Sequence, residues 1–167
     1  MSRRTRSMAQ AGADCVSALV LTPGWVFAQD DRPSAGRAVD LEAPILVVED
    51  DFLVAMQIEA ALTEAGFALS GTAASGEEAI AMATAIRPVF VLMDIRLAGE
   101  MDGVDAALAL FRQHGIRCIF ATAHHDLEVR RRAAPAEPLG WLQKPYSMPA
   151  LLEAVRQGLA DLKADSD

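Results

Sequence analysis

The sequence contains an apolar run that closes on a single acid, Pro88-Val89-Phe90-Val91-Leu92-Met93-Asp94, and then continues as Ile95-Arg96-Leu97. A short run rich in β-branched and other large apolar residues predicts a strand that is buried on both faces, as in a parallel sheet. Open α/β sheets place their functional groups at the carboxyl ends of such strands. Asp94 is therefore the first candidate for a functional residue.

Three other strand-like runs also end on polar side chains. These runs, each with the polar residues that follow it, are Ile45-Leu46-Val47-Val48 with Glu49-Asp50-Asp51, Ile116-Arg117-Cys118-Ile119-Phe120-Ala121 with Thr122, and Leu139-Gly140-Trp141-Leu142 with Gln143-Lys144-Pro145. The carboxyl ends of parallel strands meet at one edge of an open sheet. We therefore expect an acid cluster, a hydroxyl and a cation to lie beside Asp94.

Helical periodicity fills the intervals between the strands, which is the pattern of βαβ units around a parallel sheet. Residues 67–72 are expected to form the remaining strand. The predicted helix starts share a side chain that can cap the first turn, and the predicted helix ends share a glycine or a proline. The starts are Ser75, Asp102 and Ser147, and the ends are Gly66, Pro88 and Gly115. The sequence thus predicts five strands and five helices.

Apolar residues at helical spacing predict which face of each helix is buried. In the first helix these residues are Val54, Ile58, Ala61 and Ala65, and in the third they are Val104, Leu108 and Phe111. The fourth helix, residues 126–133, is expected to be short because Pro135 and Pro138 follow it.

Size and composition fit one domain. The chain has 167 residues, of which 52% are apolar and 23% charged, as is usual for a globular protein with a sizeable core. The 23 residues after Lys144 are expected to form a single helix, so a separate output domain is not expected. Residues 41–167 hold ten basic and nineteen acidic residues. Because such a surface repels phosphate backbones, we expect no nucleic-acid partner.

The alternating pattern sets the predicted boundaries. Residues 1–42 do not share it and are expected to form a disordered N-terminal extension. The domain is expected to cover residues 43–163, with residues 164–167 as a tail. The two cysteines, Cys15 and Cys118, have no metal-site spacing, and Cys118 is expected to be buried in a strand.

The N-terminal segment has three alternative interpretations. Three arginines followed by the apolar residues 15–28 are typical of a secretory signal. Asp14 at the edge of the apolar stretch and Pro23-Gly24 within it argue against export. A translated stretch upstream of the true start is the second alternative, and an interaction arm that presents Trp25 and Phe27 is the third.

An acid pair, a single Asp, a Thr and a Lys follow successive strands in this order, and in this the sequence resembles the receiver domain of two-component response regulators, of the stand-alone single-domain type. The resemblance covers roughly residues 43–162. It rests on Glu49-Asp50-Asp51, Met93-Asp94-Ile95-Arg96-Leu97, Met101-Asp102-Gly103, Thr122-Ala123 and Lys144-Pro145-Tyr146. The resemblance implies a flavodoxin-like, doubly wound α/β fold with five helices and a five-stranded parallel sheet in the order 2-1-3-4-5.

The resemblance implies that Asp94 is the phosphoacceptor, since a carboxylate can form an acyl phosphate. The surrounding acids make an oxygen-rich site suited to Mg²⁺ or Mn²⁺. The implied direct ligands are Asp50, Asp94 and the backbone carbonyl of Arg96, and Glu49 is expected to act largely through bound water. Asp51 is expected to face away from the site and to cap the first helix.

Two further residues are assigned to the phosphoryl group by the resemblance. Lys144 is expected to contact one phosphoryl oxygen, and the hydroxyl of Thr122 is expected to donate to another once Asp94 is modified. The peptide bond between Lys144 and Pro145 is a candidate cis bond.

The resemblance also implies a switch. Thr122 is expected to move toward the phosphoryl group, and the aromatic residue three positions before the lysine, Trp141, is expected to follow it inward. The surface formed by the fourth helix, fifth strand and fifth helix would then change its partner binding. Arg96 and His124 are expected to shield the acyl phosphate from water.

The implied function is that of a cytoplasmic switch with no membrane partner. It would take a phosphoryl group from a sensor histidine kinase or a histidine phosphotransferase onto Asp94 and change its binding to a downstream protein target. It would catalyse only its own phosphorylation and dephosphorylation, so it is not expected to be an enzyme in the metabolic sense. A phosphate sink or shuttle in a phosphorelay would need the same fold and site, and remains an alternative.

Two other protein classes fit the sequence less well. An aspartyl-nucleophile phosphatase of the haloacid dehalogenase type needs a second Asp two residues after the nucleophile, where this sequence has Arg96. A flavin-binding flavodoxin-like protein needs a phosphate-binding loop rich in Ser, Thr and Gly after the first strand. The acids Glu49-Asp50-Asp51 would instead repel that phosphate.

Overall fold

The computed structural model describes residues 44–123 and 127–165. Its elements are β1 (Ile45–Val48), α1 (Phe52–Glu64), β2 (Leu69–Ala73), α2 (Gly76–Ile86), β3 (Phe90–Asp94), α3 (Gly103–His114), β4 (Cys118–Thr122), α4 (Leu127–Ala133), β5 (Gly140–Gln143) and α5 (Met148–Ala164). A 3₁₀ turn, Ala134–Ala136, follows α4. The predictions for residues 1–42, for His124 and for the last residues of the tail lie outside the described residues.

All five strands are parallel and form one sheet in the order β2-β1-β3-β4-β5. This order confirms the predicted fold. Every residue of β1, β3 and β4 is buried. Burial on both faces explains why these strands are continuously apolar and do not alternate with polar residues. Because the strands are parallel, the polar residues that follow them lie along one edge of the sheet.

A hydrophobic cluster fills each side of the sheet. Alternate residues of β1 show this division, since Leu46 and Val48 enter one cluster and Ile45 and Val47 enter the other. The first cluster includes residues of α2, α3 and α4, and the second includes residues of α1 and α5. The sheet is thus covered by helices on both faces, and its carboxyl edge is the place left for chemistry.

The helices begin at the residues that the sequence indicates. The side chains of Ser75, Asp102 and Ser147 accept backbone N–H groups in the first turns of α2, α3 and α5, at 3.2, 2.9 and 3.3 Å. Asp51 caps α1 in the same way, at 2.9 and 3.2 Å. Each cap satisfies N–H groups that have no partner within the helix.

The end of α1 differs from the prediction in one respect. Gly66 and Gly115 have φ angles of 85° and 68°, the left-handed conformation that a glycine adopts at little cost. The amide of Phe67 still belongs to the end of α1, because it donates to the carbonyl of Leu62 at 3.0 Å. The second strand therefore begins at Leu69 rather than at residue 67.

Ile58 and Val104 are buried as predicted, but the rest of each buried helix face is shifted by about one position from the predicted residues. The buried residues of α1 are Ala55, Ile58 and Leu62, and those of α3 include Val104, Ala107 and Leu110. The predicted residues Ala61, Leu108 and Phe111 are only half-buried. Both helices are apolar over a wide face, so spacing alone does not fix its centre.

Candidate functional site

The predicted site residues lie at the carboxyl edge of the sheet. Glu49 and Asp50 follow β1, Asp94 is the last residue of β3, Thr122 is the last residue of β4, and Lys144 follows β5. The amide of Lys144 donates to the carbonyl of Thr122 at 2.7 Å, which joins the ends of β4 and β5. The peptide bond between Lys144 and Pro145 is cis, as predicted.

Lys144 lies between two acids. Its Nζ donates to Oε2 of Glu49 and to Oδ2 of Asp94, each at 2.7 Å. Only 5% of Glu49 and 8% of Asp94 is exposed to solvent. Charges this deeply buried are costly unless they are paired, so these contacts matter more than ion pairs on the surface.

Burial and charge change the proton affinities of this cluster. Burial raises the pKa of Glu49, and the charge of Asp94 raises it further, while the hydrogen bond from Lys144 opposes both effects. Burial disfavours the charged form of Lys144, but its hydrogen bonds to Asp94 and Glu49 outweigh this effect and raise its pKa. The lysine is therefore a fixed positive charge at neutral pH.

Three carboxylates form a group that could hold a metal ion. Each of Glu49, Asp50 and Asp94 offers an oxygen, and these oxygens lie within 4.8 Å of one another. Octahedral Mg²⁺ holds its ligands at about 2.1 Å, so two ligand oxygens are about 3 Å or about 4.2 Å apart. The group thus needs only a small contraction to fit the ion, and the exposed Asp50 leaves the site open to solvent.

Arg96 contributes a backbone contact to the site. Its amide donates to Oδ1 of Asp94 at 3.2 Å, and its side chain is exposed. The metal-binding role of its carbonyl stays a prediction. With Oδ2 bound by Lys144, both carboxylate oxygens of Asp94 have a donor that fixes their direction.

Gly103 supports the site, and the sequence interpretation gave it no role. A Cβ atom at this position would lie 1.9 Å from the carbonyl oxygen of Asp94 and 3.0 Å from the Cα of Ile95. Its amide donates to the carbonyl of Ile95 at 2.9 Å. The N-terminus of α3 thus packs directly on the backbone that carries the candidate nucleophile, and only glycine leaves the space for this.

Thr122 and Trp141, the predicted switch residues, occupy adjacent strands. Thr122 is 8% exposed. The half-buried indole of Trp141 stacks on Phe120, with ring centroids 4.8 Å apart and planes inclined by 25°. The guanidinium of Arg130 lies over the same indole, 4.8 Å from its centroid. The contact with Arg130 was not predicted, because spacing along α4 does not reveal a partner on β5.

A second unpredicted contact joins α4 to the start of α3. Arg132 lies 2.9 Å from Oδ2 of Asp102 and 3.1 Å from Oδ1 of Asp105. Partial burial of Asp102 favours its neutral form, but the hydrogen bond from Arg132 and the backbone donors outweigh this and lower its pKa. The residue that caps α3 therefore also anchors α4.

This fold and this set of edge residues define a class of protein. The family described as the response regulator receiver domain matches residues 45–156. The chain therefore belongs to the response regulator receiver family. Receiver domains are signalling domains that bind Mg²⁺ at an acidic pocket, and the acids Glu49, Asp50 and Asp94 form such a pocket here.

Two curated regulators show the same relationship over part of their length. The chain is 31% identical over 124 residues to the transcriptional regulatory protein PdtaR of Mycobacterium tuberculosis. This match covers 72% of the chain and 60% of PdtaR. The chain is also 35% identical over 124 residues to the phyllosphere-induced regulator PhyR of Methylorubrum extorquens. This match covers 72% of the chain and 45% of PhyR. The chain thus spans about half the length of these relatives.

Smaller relatives are matched over nearly their whole length. The chemotaxis protein CheY of Thermotoga maritima is 26% identical over 114 residues, covering 68% of this chain and 94% of that protein. The solved signal receiver domain of a modulated diguanylate cyclase from Desulfovibrio desulfuricans is 32% identical, with a TM-score of 0.68 and coverage of 74% of this chain and 98% of that one. Family membership sets aside the dehalogenase-like and flavin-binding alternatives.

Within residues 44–123 and 127–165, none of the helices combines the length and the apolar character that crossing a bilayer requires.

Proposed function

We propose that this domain accepts a phosphoryl group on Asp94 from a phosphohistidine of a sensor histidine kinase or a histidine phosphotransferase, in the cytoplasm. The observation that carries the proposal is the position of the Lys144 ammonium, 2.7 Å from both Asp94 and Glu49 within the acid cluster. A phosphoryl group attached to Asp94 would place its oxygens within reach of this cation. Such a pairing offsets the negative charge that phosphoryl transfer gathers on those oxygens.

The transfer makes one bond and breaks another. An oxygen of Asp94 attacks the phosphorus, the bond from phosphorus to the donor's imidazole nitrogen breaks, and the imidazole leaves. Lys144 binds one phosphoryl oxygen, and the Thr122 hydroxyl donates to another. Transfer of the group to water later restores the carboxylate, so the domain promotes its own modification and its reversal without turning over a metabolite.

The acid cluster suits Mg²⁺ or Mn²⁺, since all of its ligand atoms are hard carboxylate oxygens. Asp50, Asp94 and the backbone carbonyl of Arg96 would hold the ion, with Glu49 acting largely through bound water. When bound, the ion would supply positive charge to the phosphoryl oxygens. Lys144 already offsets part of the charge of Glu49 and Asp94, which weakens the repulsion between these two acids.

Modification of Asp94 would be read out through Thr122 and Trp141. When Thr122 turns to donate to the phosphoryl group, space opens along β4 for the indole of Trp141 to move inward. The surface of α4, β5 and α5 then changes its affinity for a downstream protein. The acidic charge of residues 41–167 favours protein partners over nucleic acid.

The test is intact mass spectrometry after incubation with acetyl phosphate and Mg²⁺. The parent protein should gain one phosphoryl group, and Asp94→Asn should gain none. Asp51→Asn is a matched control, because it removes a neighbouring acid but keeps an oxygen that can cap α1. It should be modified like the parent. A gain that persists in Asp94→Asn, or an unmodified parent, would overturn the proposal.

Target binding and back-transfer separate a signalling output from a relay shuttle. A shuttle returns its phosphoryl group to a histidine phosphotransferase, whereas an output domain keeps it and binds its target more tightly in that form. A pull-down with the modified and unmodified forms, together with a back-transfer assay, distinguishes the two roles.

A further inference from the structure

The indole of Trp141 is held by two groups. Phe120 stacks on it, and Arg130 places its guanidinium 4.8 Å from the indole centroid, well within the range of a cation–π contact. Phe120 lies on β4, next to the strand that carries the indole. Arg130 lies on α4, outside the sheet. The indole therefore cannot move without changing its contact with a helix.

The strand register connects this ring to the site. Phe120 is paired with Trp141 and Thr122 with Gln143 across β4 and β5. Residues two apart on a strand share a face, so Thr122 and Trp141 lie on one face of the sheet as diagonal neighbours. A movement of Thr122 toward Asp94 would therefore change the space beside the indole.

The helix that carries Arg130 is not free to follow the ring. Two residues further along α4, Arg132 is bound to Asp102 and Asp105 at the start of α3, at 2.9 and 3.1 Å. Val129 packs on the hydrophobic cluster, and Ala133 is buried within it. An inward movement of the indole must therefore weaken its contact with Arg130, change the conformation of the arginine side chain or shift the anchored helix.

We propose that Arg130 is a positioning residue that holds the indole of Trp141 where the structure has it and so sets how readily the switch moves. This inference rests on the proposed function, because it requires that modification of Asp94 drives Thr122 and Trp141 inward. Arg130 opposes that movement, and the phosphoryl group must overcome the opposition.

Removing Arg130 should therefore shift the equilibrium of the switch toward the inward conformation of Trp141. A partly exposed cation–π contact changes a two-state equilibrium by about two- to fivefold. The apparent affinity of a ligand for a minor conformation rises in proportion to the population of that conformation. Arg130→Ala should thus respond to a phosphoryl mimic at a concentration about two- to fivefold lower than the parent.

The experiment titrates the full chain with beryllofluoride and Mg²⁺, a mimic of the phosphoryl group, and follows tryptophan emission. The sequence holds two tryptophans, so Trp25→Phe serves as the background and leaves Trp141 as the reporter. Arg130→Ala is compared with Arg130→Lys, which keeps a cation, and with Arg131→Ala, which removes the adjacent exposed arginine of the same helix. Urea unfolding of each variant checks that all are folded.

The expected result is a lower midpoint for Arg130→Ala, an intermediate midpoint for Arg130→Lys and the background midpoint for Arg131→Ala. A change of stability alone would not shift the midpoint in this order. If the background protein responds but Arg130→Ala has the same midpoint, the role of Arg130 is refuted and the proposed function stands. If emission in the background protein does not respond at all, the proposed switch fails, and the role of Arg130 fails with it.

Discussion

Replacing Gly103 by alanine should damage both stability and the site. The added Cβ would lie 1.9 Å from the carbonyl oxygen of Asp94 and 2.9 Å from its carbonyl carbon. Real Cβ contacts are essentially never below 3.0 Å, so a gap of at least about 1 Å must open. Both atoms are backbone atoms, and no flexible side chain can make room. The start of α3 must therefore move away from β3, or the end of β3 must move with Asp94.

The size of the effect follows from this geometry. Inserting a methyl group into a closely packed place costs about 1–3 kcal/mol, and a clash with backbone atoms belongs at the upper end. With a urea slope of about 1–3 kcal/mol per molar, a loss of about 3 kcal/mol should lower the unfolding midpoint by about 1–3 M. A displacement of about 1 Å at a reacting group can slow a reaction about 100-fold, so acceptance of a phosphoryl group should slow by one to two powers of ten.

Urea unfolding and the rate of modification by acetyl phosphate measure the two effects. Gly115→Ala is the matched control, because Gly115 has φ 68° and no atom within 4 Å of an added Cβ. It should lose about 1 kcal/mol from backbone strain and keep the parental rate. A parental unfolding midpoint for Gly103→Ala would refute this role of Gly103, and so would an equal slowing of modification by Gly115→Ala and Gly103→Ala.

Three further predictions concern single residues. In the parent, the ammonium of Lys144 lies 2.7 Å from Glu49 and Asp94 and competes with Mg²⁺ for them. Lys144→Met should therefore bind Mg²⁺ more tightly in calorimetry and accept a phosphoryl group more slowly. Weaker Mg²⁺ binding would contradict this. Burial raises the pKa of Cys118 from 9.0 to about 12, so the native thiol should resist a thiol reagent at pH 8. Since the unfolded thiol ionises first, stability should fall between pH 9 and about 12, and a Cys118→Val variant with the same slope would count against this. Asp51→Ala should cost about 0.5–2 kcal/mol in urea unfolding and Asp51→Asn only a few tenths, and equal losses would exclude the capping role.

Local signals in the sequence were sufficient to predict the order of the strands and helices and the residues that lie at the carboxyl edge of the sheet. Continuous apolar runs identify buried parallel strands, and the residue after each run must then lie at the carboxyl edge. For this reason Glu49, Asp94 and Lys144 could be grouped before any contact was known. The caps at Asp51 and Ser75 are equally local, because a cap depends on a few adjacent residues.

Contacts between distant elements could not be predicted in this way. Residues 130–132 are three consecutive arginines, and nothing in their spacing shows that Arg130 contacts Trp141 while Arg132 contacts Asp102. The close approach of Gly103 to the backbone of Asp94 could not be predicted either, because it depends on how α3 packs on β3. These contacts depend on tertiary packing, whereas helical periodicity indicates only which face of a helix is apolar.

The proposed chemistry requires that carboxylates from two strand ends form one site for a divalent ion. Calorimetric titration of the parent, Asp50→Asn and Asp51→Asn with Mg²⁺ tests this directly. The parent should bind one ion, Asp50→Asn should bind it at least about tenfold more weakly because it lacks one ligand charge, and Asp51→Asn should match the parent. A parent protein without saturable binding, or an equal loss in both variants, would contradict the account.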